Sequence, residues 1–209
     1  MKKESIFIEQ IPVGQYKNFS YVVADILIRE AAIFDPAWEA PKLLAALQEK
    51  NLTLKYIVNT HAHFDHIDGN QKLATATNAK VVMSDKSLAR KDLAVKDGEE
   101  LQIGRVNMRF IHTPGHSPES MCIEVGSVAL LTGDTLFIGE CGRVDLPGGS
   151  AEGLFESFQK LRLLDPELVV YPGHDYGTKR STTLREQLET NYTLAKRTKQ
   201  EFIKFMSEP

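Results

Sequence analysis

The 209-residue sequence has little of several features that would point to common function classes. It has two cysteines, which excludes a disulfide framework and a four-thiolate zinc site. The formal charge is −3 at pH 7, so there is no basic excess to hold a nucleic-acid backbone or an anionic membrane. The apolar stretch at residues 6–8 is shorter than a signal-peptide core or a bilayer span. We therefore expect a cytoplasmic protein that binds neither nucleic acid nor membrane.

The apolar content is sufficient for a folded core. Hydrophobic residues make up 42% of the chain, too many for a disordered protein. No repeat, low-complexity tract or Pro/Gly/Ser-rich linker divides the sequence, and short beta-favouring runs alternate with helical patterns. The sequence predicts one mixed α/β domain over residues 1–209, with a short helical tail over 181–206 at the C-terminal end.

Apolar periodicity predicts the secondary structure. Helical spacing predicts helices at residues 41–50, 69–77, 84–91 and 151–164. Beta-favouring runs predict strands at residues 5–11, 19–24, 30–34, 54–59, 80–83, 106–111, 121–125, 128–131 and 168–171.

The segment at residues 60–66 carries the strongest chemical signal, with three histidines and an aspartate within six residues. Alternate residues of an extended segment point the same way, so His61 and His63 can share one focus. A turn beyond them can bring Asp65 and His66 back toward the same cavity. Imidazole and carboxylate groups are common ligands of zinc and iron. The segment therefore predicts a metal site, with a solvated polar loop as the alternative.

Three further residues occur in similar contexts. His116, Asp134 and His174 each lie just past a beta-like run and directly after a glycine. Taken singly they carry little weight, because a lone aspartate after a strand is usually a turn residue. Strand ends in layered α/β folds are nevertheless where ligands collect. Five of the six histidines would then share one centre, and His112 would pack beside it or support a ligand.

The order and spacing of these residues resemble the metallo-beta-lactamase superfamily over about residues 19–176. The resemblance implies a four-layered αββα sandwich with metals at one edge, between the two sheets. It also implies two divalent ions, zinc first, with iron (one or two ions) or manganese as alternatives. The implied ligands are His61, His63 and His116 for one metal, Asp65, His66 and His174 for the other, and Asp134 as a bridge.

Two branches of the superfamily share further segments with this chain. Residues 132–137, followed by Cys-Gly-Arg at 141–143, resemble the hydroxyacylglutathione hydrolases (glyoxalase II). Residues 141–145 and 174–176 also resemble the persulfide dioxygenases. The first resemblance implies that Arg143 and Tyr176 bind a glutathione moiety. Pairing of Arg143 with Asp145, and packing of Tyr176 against the tail, stay open as alternatives.

The leading hypothesis is a metal-dependent hydrolase of glyoxalase II type, in which a metal-bound hydroxide cleaves a thioester such as an acyl-glutathione. In it Asp134 fixes the metal spacing and Asp65 orients the nucleophile as well as binding metal. The first alternative is a mononuclear iron persulfide dioxygenase that oxidises glutathione persulfide, with His61, His116 and Asp134 on the iron. The second is a metal-stabilised binding module without turnover. A true β-lactamase fits the fold but not the glutathione-type segments.

Overall fold

The computed structural model describes residues 5–208, which form two six-stranded sheets and a small strand pair. The first sheet takes its strands in chain order: β1 (Ile6–Val13), β2 (Asn18–Asp25), β3 (Glu30–Phe34), β4 (Thr53–Val58), β5 (Lys80–Ser84) and β6 (Leu93–Val95). The second contains β7 (Glu100–Ile103), β8 (Val106–His112), β9 (Met121–Val125), β10 (Ala129–Gly133), β13 (Val169–Pro172) and β14 (Thr182–Thr183), in the order β14-β13-β10-β9-β8-β7. The strand pair is β11 (Leu136–Phe137) and β12 (Glu140–Cys141).

Helices cover both outer faces of the sheets. They are α1 (Ala40–Glu49), α2 (Phe64–Ile67), α3 (Asn70–Thr77), α4 (Ala151–Leu161), α5 (Leu184–Thr190) and α6 (Lys199–Ser207). The last helix starts at a capping box, in which the Thr198 side chain accepts from the backbone N–H of Glu201 and the Glu201 side chain accepts from that of Thr198. No helix within residues 5–208 is long and apolar enough to cross a membrane.

Three apolar clusters separate four layers. The first lies between the first sheet and its helices and includes Leu43 of α1 and Leu73 of α3. The second lies between the two sheets. Strand β2 serves both, because Val22 belongs to the first cluster and Val23 to the second. This alternation explains why every residue of β2 is buried. The third cluster joins the second sheet to α4, α5 and α6. The predicted αββα sandwich is confirmed.

The C-terminal tail packs onto this last layer. Phe202 of α6 is buried, and its ring centroid lies 5.7 Å from that of Phe155 and 5.6 Å from that of Phe158 in α4. The helical spacing predicted for 181–206 corresponds to α5, a 3-10 turn and α6.

The predicted helix at 84–91 is wrong. After β5 the chain turns instead. Serine hydroxyl oxygens accept hydrogen bonds from backbone N–H groups that a helix would pair with backbone carbonyls. Ser84 Oγ accepts from the N–H of Lys86, and Ser87 Oγ accepts from the N–H of Ala89, both at 3.2 Å. Such local bonds compete with helix formation. The short strands β6, β7, β11, β12 and β14 were also not predicted.

The sheet topology brings several strand ends to one edge. Strands β10 and β13 pair in parallel, so their carboxyl ends lie together. The backbone N–H of Phe19 in β2 donates to the carbonyl of Gly173 at 2.8 Å, which connects the first sheet to the end of β13. The loops that follow β4, β10 and β13 therefore open at the same edge, between the two sheets.

Candidate metal centre

The segment after β4 places four of the predicted ligands. His63 has extended backbone angles (φ −63°, ψ 145°) and directly precedes α2. Asp65 and His66 therefore lie in the single helical turn that follows. The ring centroids of His61 and His63 are 4.7 Å apart. The turn expected from the sequence is present, whereas the chain bends at residues 60–61 and is extended at His63.

All seven predicted ligand residues come together. Three overlapping sets have one donor atom per residue within 4.8 Å of one another, which is close enough to hold a metal ion. The sets are His61, His63 and His116; His61, His66 and Asp134; and Asp65, His66 and His174. The first and third match the two predicted sites, and we refer to them as the first and second triad.

The spacing and bonding of the donor atoms fit divalent metals. Nδ1 of His63 is 2.9 Å from Nε2 of His116, and the Nε2 atoms of His66 and His174 are 3.2 Å apart. Two nitrogens on a tetrahedral zinc lie about 3.3 Å apart. Within residues 5–208, Nε2 of His61 and Oδ1 of Asp134 are buried and have no hydrogen-bond partner. Unpaired buried atoms cost about 1–3 kcal/mol each, so a metal is the partner that this geometry lacks.

Asp134 lies between the two triads. Its Oδ2 is 3.5 Å from Nε2 of His116 and 3.2 Å from Nε2 of His174, while its Oδ1 is 3.4 Å from Nε2 of His66. This is the position expected of a bridging carboxylate. The backbone of Gly173 lies close beside it, since a Cβ at that residue would be 2.3 Å from Asp134 Oδ1.

Backbone carbonyls orient two of the imidazoles. Nδ1–H of His116 donates to the carbonyl of Arg143 at 2.9 Å, and Nδ1–H of His174 donates to the carbonyl of Tyr16 at 2.8 Å. Both tautomers are assigned from these contacts. In the neutral imidazole each bond holds the proton on Nδ1, so Nε2, which is directed into the centre, is the atom available for ligation.

Asp35 supports a third imidazole and was missed in the sequence. It is buried and accepts from both the N–H and the hydroxyl of Thr60 at 2.7 Å, with Oδ2 3.1 Å from Nδ1 of His66. Its position directly after β3 is the strand-end context that identified Asp134. The glycine that precedes Asp134 is absent here, because Phe34 stands before Asp35, so the criterion used in the sequence did not select it.

Asn18 in β2 supports a carboxylate ligand. Its side-chain N–H₂ donates to Asp65 Oδ2 at 3.0 Å and to the Asp65 carbonyl at 3.1 Å. Nothing in the sequence marked this asparagine, because the contact joins parts of the chain that are distant in sequence.

The electrostatics differ between the triads. Burial, reinforced by the neighbouring imidazoles, holds the pKa of His61 well below 6.5, and burial also lowers the pKa of His63. Burial opposes protonation of His66 too, but the carboxylates of Asp134 and Asp35 outweigh it and raise its pKa to about 9. The histidines likewise outweigh the effect of burial on Asp134 and hold its pKa far below the usual range. Metal ligands must be deprotonated, so His61 and His63 are closer to ready at neutral pH, whereas His66 must lose a proton.

Arg143 and Tyr176, predicted to bind substrate, lie beside the centre. The exposed guanidinium of Arg143 makes two 2.6 Å bonds to the Asp145 carboxylate, which is the alternative left open above. The Tyr176 ring stacks on His174 with centroids 4.8 Å apart. Substrate binding by either residue stays a prediction. The remaining histidine, His112, lies outside the three sets and contacts the carbonyl of Pro118 at 2.8 Å.

Comparison with known proteins identifies the family. The family model for the metallo-beta-lactamase superfamily matches residues 15–174, which include every proposed ligand. The chain belongs to the metallo-beta-lactamase superfamily.

Relatives within this superfamily carry different activities in their names. The probable polyketide biosynthesis zinc-dependent hydrolase PksB of Bacillus subtilis is 32% identical over 91% of this chain and 87% of its own length. A hydroxyacylglutathione hydrolase of Polaromonas sp. is 35% identical over 82% and 67%. The human mitochondrial persulfide dioxygenase ETHE1 is 35% identical over 90% and 76%. The crystal structure of ETHE1 from Myxococcus xanthus aligns with a TM-score of 0.90 at 30% identity, covering 97% of this chain and 92% of that one. The resemblance to both branches is confirmed.

Proposed function

We propose that this protein is a two-metal hydrolase that cleaves a small-molecule thioester, with zinc as the first choice of metal. The observation that carries the proposal is the donor set itself. Two triads of buried or half-buried donors lie on either side of one carboxylate, Asp134, whose Oδ2 is within 3.5 Å of a histidine nitrogen of each triad. A centre for a single metal does not require a complete second triad. The names of PksB and of hydroxyacylglutathione hydrolase, both hydrolases, support the reaction class.

The side chains present suit this reaction. Two ions in these triads would lower the pKa of a shared water toward neutrality and stabilise negative charge on the thioester carbonyl oxygen. Asp134 sets the separation of the triads. Asp65 is held by Asn18, and its Oδ2 lies 3.6 Å from Nε2 of His174. The leaving thiol has a pKa near ~8.5, so a thiolate departs without a strong general acid.

The thiol carrier is proposed to be glutathione or a related thiol. The planar fork of Arg143 matches a carboxylate, and its present partner Asp145 is as exposed as Arg143 itself, so a substrate carboxylate can compete for it. Cys122 and Cys141 are both free, which suits a reducing compartment such as the cytoplasm.

The test is a metal analysis followed by two assays on the same anaerobically purified protein. We expect about two metal ions per chain and hydrolysis of an acyl-glutathione, detected as released thiol. His63→Ala should abolish turnover, because it removes one donor of the first triad. Thioester hydrolysis that persists with one metal, or in the His63 variant, would contradict the two-metal proposal.

A persulfide dioxygenase is the second candidate, favoured by the alignment with ETHE1 at a TM-score of 0.90. His61, His116 and Asp134 supply the two imidazoles and one carboxylate typical of non-haem iron oxygenases. Oxygen uptake with glutathione persulfide by the iron-loaded protein, without thioester hydrolysis, would support this candidate over the hydrolase. His63→Ala should then retain part of the activity.

A further inference from the structure

Three aromatic rings form a wall beside the metal centre. Tyr16 lies in the turn between β1 and β2, Trp38 lies just before α1, and Phe64 is the first residue of α2. Their centroids are 5.8 Å apart for Tyr16 and Trp38, and 6.0 Å apart for Phe64 and each of the other two. Tyr16 is 53% exposed and Phe64 is 62% exposed. Large aromatic side chains grouped on a surface mark a binding site more often than isolated ones do.

The aromatic wall is attached to the ligands by short connections. Phe64 stands between His63 of the first triad and Asp65 of the second. The carbonyl of Tyr16 accepts the hydrogen bond from Nδ1 of His174 at 2.8 Å. The wall is therefore linked through its backbone to ligands of both triads.

The wall is rigidly built. Trp38 packs against the first apolar cluster, and its ring lies so close to Gly14 that a Cβ there would be 2.1 Å from a ring atom. Gly14 also has φ +68°, which other residues rarely adopt. The hairpin that carries Tyr16 is thereby fixed against the indole. Beside the rings is a cavity of about 270 Å³, lined by Gly14, Gln15, Tyr16, Trp38, Glu39 and Phe64.

The cavity has a mixed lining, in which the three aromatic rings face the polar side chains of Gln15 and Glu39. Its charged lining residue, Glu39, already pairs with Lys42 at 3.3 Å. The charged pair Arg143–Asp145 lies elsewhere, because the Arg143 carbonyl contacts His116 of the first triad, whereas the Tyr16 carbonyl contacts His174 of the second. The two triads thus have different neighbours, one charged and one aromatic.

We propose that the aromatic wall of Tyr16, Trp38 and Phe64 is the subsite for the acyl group of the substrate, and that this group is an apolar chain or ring. The inference rests on the proposed thioester hydrolysis. The charged thiol carrier then extends toward Arg143, and the acyl group lies across the rings. Each methylene that leaves water on the wall raises kcat/KM by up to about fourfold.

A binding measurement tests the subsite without turnover. Trp38 is the only tryptophan of the chain, so its fluorescence reports on the wall alone. Non-hydrolysable S-octylglutathione should shift the Trp38 emission at a concentration at least tenfold lower than S-ethylglutathione does. Phe64→Ala should remove most of this difference, and Phe64→Leu should restore part of it. Leu88→Ala, at a fully exposed leucine outside the wall, is the matched control and should behave like the parent protein.

Several outcomes would overturn the subsite. One is that the two thioethers shift the Trp38 emission at the same concentration. Another is that Phe64→Ala, with an unchanged melting temperature, binds both thioethers as the parent protein does. Alternatively, the Trp38 emission changes with protein concentration in the absence of ligand, which would assign the wall to contact with a second copy.

A substrate series separates this inference from the proposed function. With acyl-glutathiones from acetyl to octanoyl, kcat/KM should rise with chain length in the parent protein and less steeply in Phe64→Ala. Hydrolysis at a rate independent of chain length would overturn the acyl subsite and leave the hydrolase proposal standing. Selective binding of S-octylglutathione without hydrolysis of any thioester would refute the hydrolase, while the wall would stand as an apolar binding site.

Discussion

Replacing Asp35 by asparagine tests how the second triad is prepared for a metal ion. The Asp35 carboxylate accepts two 2.7 Å bonds from Thr60, and its Oδ2 lies 3.1 Å from Nδ1 of His66. This contact lacks hydrogen-bond geometry, but the negative charge so close to Nδ1 favours the proton of a neutral His66 on that atom. Nε2 then remains free to bind metal.

The amide of asparagine has the same shape but reverses this preference. To keep the bond from the Thr60 N–H, its oxygen must stay on that side, which places the N–H₂ group opposite Nδ1 of His66. The amide then donates to Nδ1, and the imidazole proton moves to Nε2, 3.4 Å from Asp134 Oδ1. A protonated Nε2 cannot bind a metal. Loss of such a supporting partner weakens metal affinity about 10–100-fold, or ~1.4–2.7 kcal/mol.

The assay is a zinc titration of the metal-free protein in competition with a chromophoric chelator. We expect the weaker of two zinc equivalents to lose about 10–100-fold in affinity in Asp35→Asn, with a much smaller change in the other. Asp25→Asn is the matched control. Asp25 is equally buried and accepts from the N–H groups of Leu27, Ile28 and Arg105, but it contacts no ligand. The Asp25→Asn substitution should lower the free energy of unfolding without changing the zinc affinity.

Two results would refute this reasoning. The first is unchanged zinc affinity in an Asp35→Asn protein that folds normally. The second is an equal loss of affinity in the Asp25 and Asp35 variants, which would show that the effect comes from general destabilisation.

Three further predictions concern protonation, thiol reactivity and packing. The pKa of His66, raised from 6.5 to about 9, stabilises the metal-free protein below pH 6.5, and this contribution of roughly 3 kcal/mol is lost as the pH rises through about 9. Urea unfolding of chelator-treated protein at pH 6.5, 7.5 and 9 should show the decline, and a flat profile would contradict it. Burial raises the pKa of Cys122 to about 11 and that of Cys141 to about 12, so both thiols should resist an aromatic disulfide reagent at pH 8 until urea is added; rapid labelling of the native protein would be inconsistent with this burial. Phe202→Ala removes the buried anchor of α6 and should cost about 3–5 kcal/mol of unfolding free energy; a loss below about 1 kcal/mol would mean that the tail contributes little to the core.

The metal centre was the part of the molecule most accessible from the sequence. Residues 61–66 bring four donors together within a short stretch of chain, so their density was visible in the sequence, although Asp35 and Asn18 position two of them. Asp134 and His174 were found through their position at strand ends, and parallel pairing of β10 with β13 brings those ends together. Periodicity likewise predicted most of the strands and helices.

Features that depend on distant contacts were not predicted. The helix expected at 84–91 does not form, because the hydroxyl oxygens of two serines accept hydrogen bonds from the backbone there. The spacing of apolar residues gives no information about such bonds. Tyr16, Trp38 and Phe64 are separate in sequence, and only the approach of the hairpin to α2 makes them a wall. The pairing of Arg143 with Asp145 was one of two equal alternatives, because adjacent charges do not reveal which partner a side chain will choose.

The division of the chain between the two sheets has a consequence for assembly. Strands β1–β6 all precede residue 96, and β7–β14 all follow residue 99. The N-terminal half supplies four of the seven ligand residues and the C-terminal half supplies three. Neither half contains all the residues of either triad. A chain cut within 96–99 would give two fragments that bind zinc fully only when they associate. Zinc binding would then measure their association, because each ion would be held by residues of both fragments.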